Sequence, residues 1–280
     1  MSASSQLSQQ RVTELNNLAR KIRGEVLKMS FTAGTPHLAS SLSPVDILVA
    51  AYFEALQIDP KKPSDSGRDR FIFSKGHAVP ALYATLAMKG FFPESDLATF
   101  CKEGGHLPEQ PSPKCAPGVE LATGSLGHGL SVGLGMALAG RISGLPYRVY
   151  ALLSDGECNE GSVWEAAMFA GGRKLDRVAV IVDFNKWQAT DRSEEVMAIQ
   201  PFRKKWETFG WTAHEVDGHD IGTLAPLLKN LPDGSGKPVA IIANTVKGKG
   251  VSFMEDDNNW HYQVPKKEHL DKGLKELGLT

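Results

Sequence analysis

The sequence predicts an α/β fold, a parallel sheet with helices on both faces. In its second half, the 280-residue chain alternates apolar runs of strand length with segments of helix length. Parallel strands need long crossover connections, usually helices, and these helices cover both faces of the sheet. No linker rich in Pro, Ser or Gly separates two patterned halves. We therefore expect one domain over residues 11–280, preceded by a flexible Ser/Gln-rich segment, 1–10.

The first half is predicted to be mainly helical. Leu15, Leu18, Ile22 and Val26 recur at helical spacing, which predicts an amphipathic helix over residues 11–29. A Ser-Pro pair opens the next helix, where the missing N–H of proline is harmless. The predicted elements that follow are the helix from 43 to about 56, a strand over 71–73, a helix over 79–88, an ordered loop over 101–120 and a Gly/Ala/Ser-rich helix over 124–139.

The second half supplies the alternation on which the fold class depends. Its apolar runs are short and bounded by polar or glycine residues, as buried parallel strands are. The predicted elements are strand 147–153, helix 162–172, strand 178–183, helix 201–210, strand 212–216, helix 221–230, strand 238–244 and a closing amphipathic helix over 266–278.

Composition excludes several classes of function. Apolar and charged residues make up 41% and 22% of the chain, as in ordinary globular proteins. A net charge of −1 implies no basic face, so we expect no nucleic-acid partner. The apolar runs are well short of the ~20 residues that span a bilayer, so we expect no membrane segment. The three cysteines form no C-x-x-C pair and Met1 opens no secretory signal, which favours a cytoplasmic protein.

Two oxygen-bearing side chains follow two strands of the predicted sheet. Asp155 ends the apolar run 149–153, and Asn185 ends the run 178–182. If these strands are neighbours, both side chains lie at the carboxyl edge of the sheet, where α/β folds bind ligands. Mg²⁺ prefers such oxygens together with substrate phosphates, and the amide of Asn185 adds no second negative charge beside a phosphate group.

The next residues suit a phosphate group. Gly156 lets the backbone approach a phosphate closely, and a helix that starts near Gly161 directs its N–H groups and positive dipole end toward it. Alone, however, an Asp-Gly pair followed later by Asn is more often an ordinary turn and a strand end. The flanking residues must therefore decide between these interpretations.

Those flanking residues resemble the transketolase family. The stretches are Asp-Gly-Glu at 155–157, Glu-Gly-Ser-Val-Trp-Glu-Ala at 160–166 and Lys-Leu-Asp at 174–176. The resemblance implies a thiamine diphosphate-binding domain of the diphosphate (PP) type. It also implies that Mg²⁺ (or Ca²⁺ or Mn²⁺) is held by Asp155, Asn185 and the backbone carbonyl of Trp187. Gly156 and Glu157 would then belong to the cofactor site.

Two further stretches resemble the same family. One reads Ser-Lys-Gly-His and the other Ala-Thr-Gly-Ser-Leu-Gly-His-Gly. The resemblance implies that His77 lies near the cofactor diphosphate and thiazolium, and that Lys75 adds positive charge. It further implies that Gly124, Ser125 and Leu126 line the pyrimidine and diphosphate. Taken alone, His77 would be a buried histidine at a strand end, and the small residues would serve helix packing.

Other polar residues occur in the family order. His37 and His106 follow glycine-containing loops, and Lys-Gly-Lys-Gly from Lys247 precedes Trp-His at His261. The resemblance implies that His37 and His106 contact the hydroxyls of a donor ketose, and that Lys247 and His261 face the diphosphate. The other interpretation of the Lys/Gly run is a solvated turn.

The acidic residues Glu160 and Glu165 match residues that link the two active sites across the dimer interface of the family. The alternative for both is an exposed helix face.

The resemblance implies a split transketolase. In that family the glutamate that pairs with the cofactor pyrimidine lies in a second domain, and a third domain follows; this chain ends at Thr280. We therefore expect an N-terminal subunit that requires a C-terminal subunit with the pyrimidine-binding domain, in an α2β2 assembly. The expected reaction is reversible transfer of a two-carbon ketol unit from a ketose phosphate to an aldose phosphate. The residues expected to orient hydroxyls and assist proton transfer are His37, His77, His106 and His261.

Two other functions stay open at this point. One is a specialised ketose transferase subunit for an unusual sugar, and the other is a non-catalytic subunit that binds thiamine diphosphate. A deoxyxylulose-phosphate synthase or 2-oxo acid dehydrogenase subunit fits less well, because the Glu-Gly-Ser-Val-Trp-Glu-Ala stretch argues against both.

Overall fold

The computed structural model describes residues 6–280 and confirms the α/β class. Five parallel strands form one sheet in the order β1-β2-β3-β5-β4. The strands are β1 (Arg70–Phe73), β2 (Val149–Ser154), β3 (Val178–Phe184), β4 (Thr212–Asp217) and β5 (Val239–Asn244). Of the segment predicted to be flexible, residues 1–5 lie outside the described part of the chain. Residues 9 and 10 already belong to the first helix, which begins two positions earlier than predicted.

Ten α-helices within the described residues surround the sheet. They are α1 (Gln9–Ala33), α2 (Leu38–Leu42), α3 (Val45–Ala50), α4 (Val79–Lys89), α5 (Gly129–Ile142), α6 (Gly161–Gly172), α7 (Ser193–Val196), α8 (Phe202–Thr208), α9 (Ile221–Lys229) and α10 (Lys267–Glu276). Of these, the short helices α2 and α7 had no counterpart in the sequence prediction.

Each face of the sheet has its own hydrophobic core. Along β3, Ile181 points into one core, and its neighbours Val180 and Val182 point into the other. The first core is closed by α1 to α4, α9 and α10, and the second by α5, α6 and α8. All seven residues of β3 are buried, as expected for a strand covered on both faces.

The predicted helix over 43–56 is broken into pieces. Pro44 lies between α2 and α3, because it has no N–H with which to continue the helical hydrogen bonds of α2. After α3, residues Ala51–Ala55 form a π-helical turn. The predicted helix over 124–139 begins only at Gly129. Gly124 and Gly127 have φ angles of 136° and 86°, which an α-helix cannot contain.

One helical stretch is apolar over a greater length than the sequence suggested. Residues Leu38–Ala55 form an 18-residue stretch with a mean hydropathy of 1.2. By length and composition it could cross a membrane, but 89% of it is buried inside the fold. It is accounted for as core, since it packs between α1, α4 and α9.

Candidate functional site

The carboxyl ends of β2 and β3 bring the two predicted oxygen ligands together. The strands pair in register, with Ser154 opposite Asp183, so that Asp155 and Asn185 leave the sheet at the same edge. An oxygen of Asp155 accepts a hydrogen bond of 2.9 Å from the backbone N–H of Lys186, the residue after Asn185. The expected neighbourhood of the two strand ends is therefore present.

Asp155 is fully buried, and its surroundings supply hydrogen bonds but little positive charge. It accepts from the N–H of Gly156 at 2.9 Å and from the Oγ of Ser193 at 2.8 Å, besides Lys186. Burial raises the pKa of Asp155 to about 6, although the bond from Ser193 works against that shift. A buried carboxylate with a raised pKa is a group that a bound cation would stabilise in its charged form.

The loop after Asn185 is held by a three-residue contact, the Trp187–Arg192–Asp256 clamp. Asn185 is buried, and its Oδ1 accepts from the N–H of Trp187 at 3.1 Å. The guanidinium of Arg192 lies 3.8 Å from the centre of the Trp187 ring and binds both oxygens of Asp256, at 2.6 and 2.7 Å. Asp256 also accepts from the Trp187 indole N–H at 2.8 Å. The clamp therefore ties residues 185–192 to the segment before His261.

Among the described residues, no three His, Cys, Asp or Glu side chains cluster as a metal site would. The predicted set is of another kind, since it contains one carboxylate, one amide and one backbone carbonyl. A cation held here would need further oxygens from a phosphate group or from water, which is the usual situation for Mg²⁺.

Three of the four predicted catalytic histidines form a cluster, the histidine cluster. The ring of His37 lies 5.5 Å from that of His77 and 5.0 Å from that of His261, centre to centre, and His77 lies 6.2 Å from His261. Burial lowers the pKa of all three, to about 3 for His261 and well below the usual value for His77. These rings are therefore neutral at pH 7 and act as hydrogen-bonding groups.

His106 has different surroundings from the histidine cluster. It lies in the loop between α4 and α5, with about half of its side chain exposed, and its Nε2 is 3.5 Å from an oxygen of Asp96. The contact that the structure gives it is with this carboxylate. Its expected contact with a ketose hydroxyl stays a prediction.

Lys247 joins the histidine cluster to the strand ends. Its Nζ donates to Nδ1 of His261 at 2.9 Å and to Oδ1 of Asn258 at 2.7 Å. Burial, with a smaller contribution from Lys75, lowers the pKa of Lys247 to about 8. Its amine therefore still carries most of its charge at pH 7. Of the nearby carboxylates, Asp155 does most to raise the pKa of Lys247.

Lys75 is already paired within the protein. Its Nζ binds Asp183 on β3 and the carbonyl of Ser40, and both charged side chains are fully buried. The hydroxyls of Ser43 and Thr245 bind the same carboxylate. The positive charge predicted to serve a cofactor is thus balanced by Asp183, and the pair links α2, β1, β3 and β5.

Glu157 lies behind the strand ends and holds three segments together. Its carboxylate accepts from the hydroxyl of Ser74, from the N–H of Gly127 at 2.9 Å and from the N–H of Ser154 at 3.3 Å. These donors belong to the end of β1, the loop before α5 and the end of β2. The contacts that the structure gives Glu157 are with protein, and they fix this loop beside the strands.

The loop before α5 approaches the Ser-Lys-Gly-His turn closely. A Cβ on Gly76 would lie 2.7 Å from the backbone nitrogen of Gly124, so glycine is required there. Ser125 is exposed and Leu126 is half-buried, which leaves both available to a ligand at this edge. The loop thus has the position, beside His77, that its predicted role requires.

Two buried polar atoms at this edge lack a partner among the described residues. They are Nδ1 of His37 and Nε2 of Gln188. Gln188 lies against Gly156, where an added Cβ would be 3.3 Å from its Cγ. Buried polar groups are normally hydrogen-bonded, so both atoms indicate a site shaped for a polar ligand.

Several residues of the site were not found by sequence reasoning. Asp183 had a usable signal, an acidic residue inside an otherwise apolar strand, and so had His219, a polar residue two positions after the end of β4. Ser193 and the clamp residues Arg192 and Asp256 gave no such signal, because they reach the site through loop packing.

Comparison with known proteins places these features in a family. The profile described as "Transketolase, thiamine diphosphate binding domain" matches residues 16–280. The 6-deoxy-6-sulfo-D-fructose transketolase subunit SqwG of Clostridium sp. (strain MSTE9) is 41% identical over 249 residues, which cover 89% of this chain and 90% of that protein. An apulose-4-phosphate transketolase subunit of Phocaeicola vulgatus is 38% identical over 266 residues, 95% of this chain and 94% of that protein.

Solved structures agree with the sequence comparison. The crystal structure of transketolase from Campylobacter jejuni superposes with a TM-score of 0.86 at 27% identity and covers 97% of this chain but 43% of that chain. The transketolase of Leishmania mexicana gives a TM-score of 0.85 at 25% identity, covering 95% of this chain and 41% of that chain. The chain thus matches the two subunits over nearly their whole length and spans less than half of these longer enzymes.

Proposed function

This chain belongs to the transketolase family, and from that membership we propose that it is the N-terminal subunit of a split transketolase. The proposed reaction is reversible transfer of a two-carbon ketol unit from a ketose phosphate to an aldose phosphate. The observation that carries the proposal is the match, over nearly the whole of both chains, to relatives named as transketolase subunits. The sheet edge that carries Asp155 and Asn185, together with the histidine cluster, supports a catalytic rather than a non-catalytic subunit.

The proposed cofactors are thiamine diphosphate and a divalent cation, Mg²⁺ or alternatively Ca²⁺ or Mn²⁺. Asp155, Asn185 and the carbonyl of Trp187 would hold the cation. The buried carboxylate of Asp155, with its raised pKa, and the unpaired Nε2 of Gln188 fit a charged, polar occupant. When bound, thiamine diphosphate supplies the carbon nucleophile for ketol transfer, and the cation offsets the charge of the diphosphate.

The histidine cluster and Lys247 divide the work on the protein side. Lys247 offers a positive charge for the diphosphate. Its N–H donates to Nδ1 of His261, so the neutral ring of His261 carries its proton on Nε2. His37 has a free Nδ1 with which to bind a ketose hydroxyl. We propose that these rings and His77 orient hydroxyls and relay protons, and that His106 contacts substrate from its loop.

Lys75 and Glu157 receive positioning roles in this proposal. Each is held by protein partners: Lys75 binds Asp183 and Ser40, and Glu157 accepts from three donors. Their contribution is to fix the turn of His77 and the loop of Gly124, Ser125 and Leu126 in place for the cofactor.

The proposed partner is a second chain with the pyrimidine-binding domain, in an α2β2 assembly in the cytoplasm. The apulose-4-phosphate relatives are each named as one subunit of a transketolase, which implies a separate partner for those proteins. By the resemblance, the partner of this chain would bring the glutamate that pairs with the cofactor pyrimidine.

A second candidate is a transketolase subunit specialised for an unusual sugar. The observation that favours it is the naming of the relatives that match over their whole length, after 6-deoxy-6-sulfo-D-fructose and apulose-4-phosphate rather than a common sugar. The two candidates share a mechanism and differ in the donor ketose.

A native mass spectrum of the chain isolated from its own cell tests the proposal. We expect a second protein in equal copies, with the mass of thiamine diphosphate attached. The isolated complex is then given a panel of ketose phosphates, branched and sulfonated ketoses included, and aldose acceptors. With Asp155→Ala in place of the wild-type chain, the Mg²⁺-dependent retention of cofactor should be lost. A complex that transfers no ketol unit from any donor would overturn the proposal.

A further inference from the structure

An Asp-Gly-His turn follows β4 and packs against the segment after β5. The N–H of Gly218 donates to the carbonyl of Asn244 at 2.8 Å. A Cβ on Gly218 would lie 2.4 Å from the side chain of Thr245, so the two segments approach closely only because this residue is glycine. The turn thereby places the next residue, His219, beside Val246.

Both ring nitrogens of His219 are engaged. The backbone N–H of Val246 donates to Nε2 at 2.9 Å, and Nδ1 lies 2.7 Å from an oxygen of Asp46. A backbone N–H is always a donor, so Nε2 must be unprotonated and Nδ1 carries the proton that Asp46 accepts. With 12% of the side chain exposed, His219 is held as a neutral ring in one tautomer.

Asp46 is itself fixed to the helical layer. Asp46 lies on α3, and the guanidinium of Arg23 on α1 binds both of its carboxylate oxygens, through Nη1 at 3.1 Å and through Nη2. The side chains of Arg23 and Asp46 are 6% and 5% exposed. A buried ion pair of this kind is rigid because breaking it would leave a charge unpaired in the interior. Through Asp46, the position of the His219 ring is therefore fixed relative to α1 and α3.

The contact of His219 with Val246 is one of several hydrogen bonds that hold the loop bearing Lys247. In two others, the N–H of Gly248 donates to the carbonyl of Ala39 at 3.0 Å, and the N–H of Asp256 donates to the carbonyl of Lys247 at 2.9 Å. Those two contacts join backbone to backbone. The contact from His219 comes from a side chain, so a substitution can remove it selectively.

We propose that His219 is a positioning residue for Lys247. It holds Val246, the neighbour of Lys247 in the chain, and so aims the Lys247 amine at Nδ1 of His261, which fixes the tautomer of that ring. The consequence for cofactor binding rests on the proposed function. The effect on His261 does not, because it is a property of the chain alone.

Two substitutions separate the two contacts of His219. In His219→Gln, the amide oxygen reaches the position of Nε2 and can still accept from Val246. In His219→Asn, the shorter amide reaches only the position of Nδ1, so it can donate to Asp46 but leaves Val246 without its acceptor. The control is Asp220→Ala at the next residue, which removes the N-terminal cap of α9 and leaves the contact with Val246 intact.

The first measurement is the ring ¹⁵N spectrum of the histidines in the full chain without cofactor. We expect His261 to be protonated on Nε2 in the wild type, in His219→Gln and in Asp220→Ala. In His219→Asn we expect it to shift to a mixture of tautomers. An unchanged His261 in His219→Asn, or an equal change in both His219 variants, would overturn the proposal. If His219→Asn does not fold, His219→Ala takes its place against the same controls.

The second measurement is calorimetric titration of each variant, assembled with the partner subunit, with thiamine diphosphate in the presence of Mg²⁺. If the Lys247 amine is displaced, the hydrogen bond proposed between this charged group and the diphosphate is lost, and such a loss weakens binding by about tenfold or more. We therefore expect about a tenfold rise in Kd for His219→Asn and less than about a threefold rise for His219→Gln. Similar Kd values for these two variants would count against the proposal. A wild-type complex with the partner subunit that binds no cofactor would defeat the proposed function, while the ring spectra of the chain would still decide the role of His219.

Discussion

The charge state of each group at the proposed site follows mainly from its burial. Burial lowers the pKa of His261 to about 3 and that of His77 well below its usual value, with Lys247 and Lys75 as the next causes. Both rings therefore work as neutral hydrogen-bonding partners near pH 7. Lys247, with a pKa lowered to about 8, is the titratable group of this set whose charge changes just above neutrality.

The lowered pKa of Lys247 predicts a pH dependence of stability. In the unfolded chain this lysine keeps a pKa near 10.4, so between pH 8 and 10 the unfolded state binds more protons than the folded state, and stability rises with pH. We expect the free energy of unfolding of the wild type, relative to that of Lys247→Met, to increase by roughly 2 kcal/mol from pH 8 to pH 10. Urea unfolding of the two chains without cofactor, at a series of pH values, measures this difference.

The same charge should also govern cofactor binding. Lys247→Met should weaken the binding of thiamine diphosphate at pH 7, and binding by the wild type should weaken as the pH rises through about 8. Lys249→Met is the control, since Lys249 is more exposed and forms only a 3.7 Å ion pair with Glu255. In the urea experiment, a difference in unfolding free energy between the wild type and Lys247→Met that stays constant from pH 8 to pH 10 would show that Lys247 keeps an ordinary pKa.

Among the structural elements, the Trp187–Arg192–Asp256 clamp joins two loops that both reach the strand ends. In Asp256→Ala, Arg192 loses its bidentate partner and the Trp187 indole loses its acceptor. We expect faster amide hydrogen exchange over residues 185–192, because the loop that carries two of the proposed cation ligands is no longer tied down. Affinity for thiamine diphosphate with Mg²⁺ should fall about threefold to tenfold, since exposed ion pairs contribute little beyond this.

A matched exposed residue controls for the loss of a surface charge. Asp271 on α10 is 57% exposed and pairs with Lys267, and the side chain of Asp256 is 54% exposed. Asp271→Ala should leave both hydrogen exchange over 185–192 and cofactor affinity unchanged. Exchange that is equally slow in the wild type and in Asp256→Ala would mean that other contacts of the loop, such as Asn258 with Ala189, suffice to hold it.

Sequence could predict what depends on strand order and could not predict what depends on loop packing. The placement of Asp155 and Asn185 at one edge was predictable because neighbouring parallel strands end at one edge, and β2 and β3 are neighbours in register. The pairing of Lys75 with Asp183 was not predicted, because it joins residues 108 positions apart. No local sequence pattern predicts such a contact. The start of the helix predicted over 124–139 was wrong for the same kind of reason, since the φ angles of Gly124 and Gly127 reflect a loop that packs against β1.

For the whole molecule, the most informative feature is an apolar face that the fold leaves uncovered. On α6, Met168 and Phe169 are 56% and 41% exposed, and on the adjacent α5, Val132 and Ile142 are 37% and 85% exposed. These four side chains are exposed on two helices that contact each other. An exposed apolar face of this kind is typical of an assembly surface, and it includes Glu165, which the family resemblance assigns to a dimer interface.

Met168→Glu should disrupt the proposed assembly. A carboxylate placed in a contact that excludes water costs several kcal/mol without a partner, so association should weaken at least about 100-fold. Met197→Glu is the comparison, because Met197 is 55% exposed and follows α7, whose Ser193 binds Asp155 at the strand ends. Native mass spectrometry of the wild type and both variants with the partner subunit measures the outcome. Loss of assembly in Met168→Glu alone would locate the interface on α5 and α6, whereas loss in Met197→Glu alone would move it to the edge of the sheet beside the clamp.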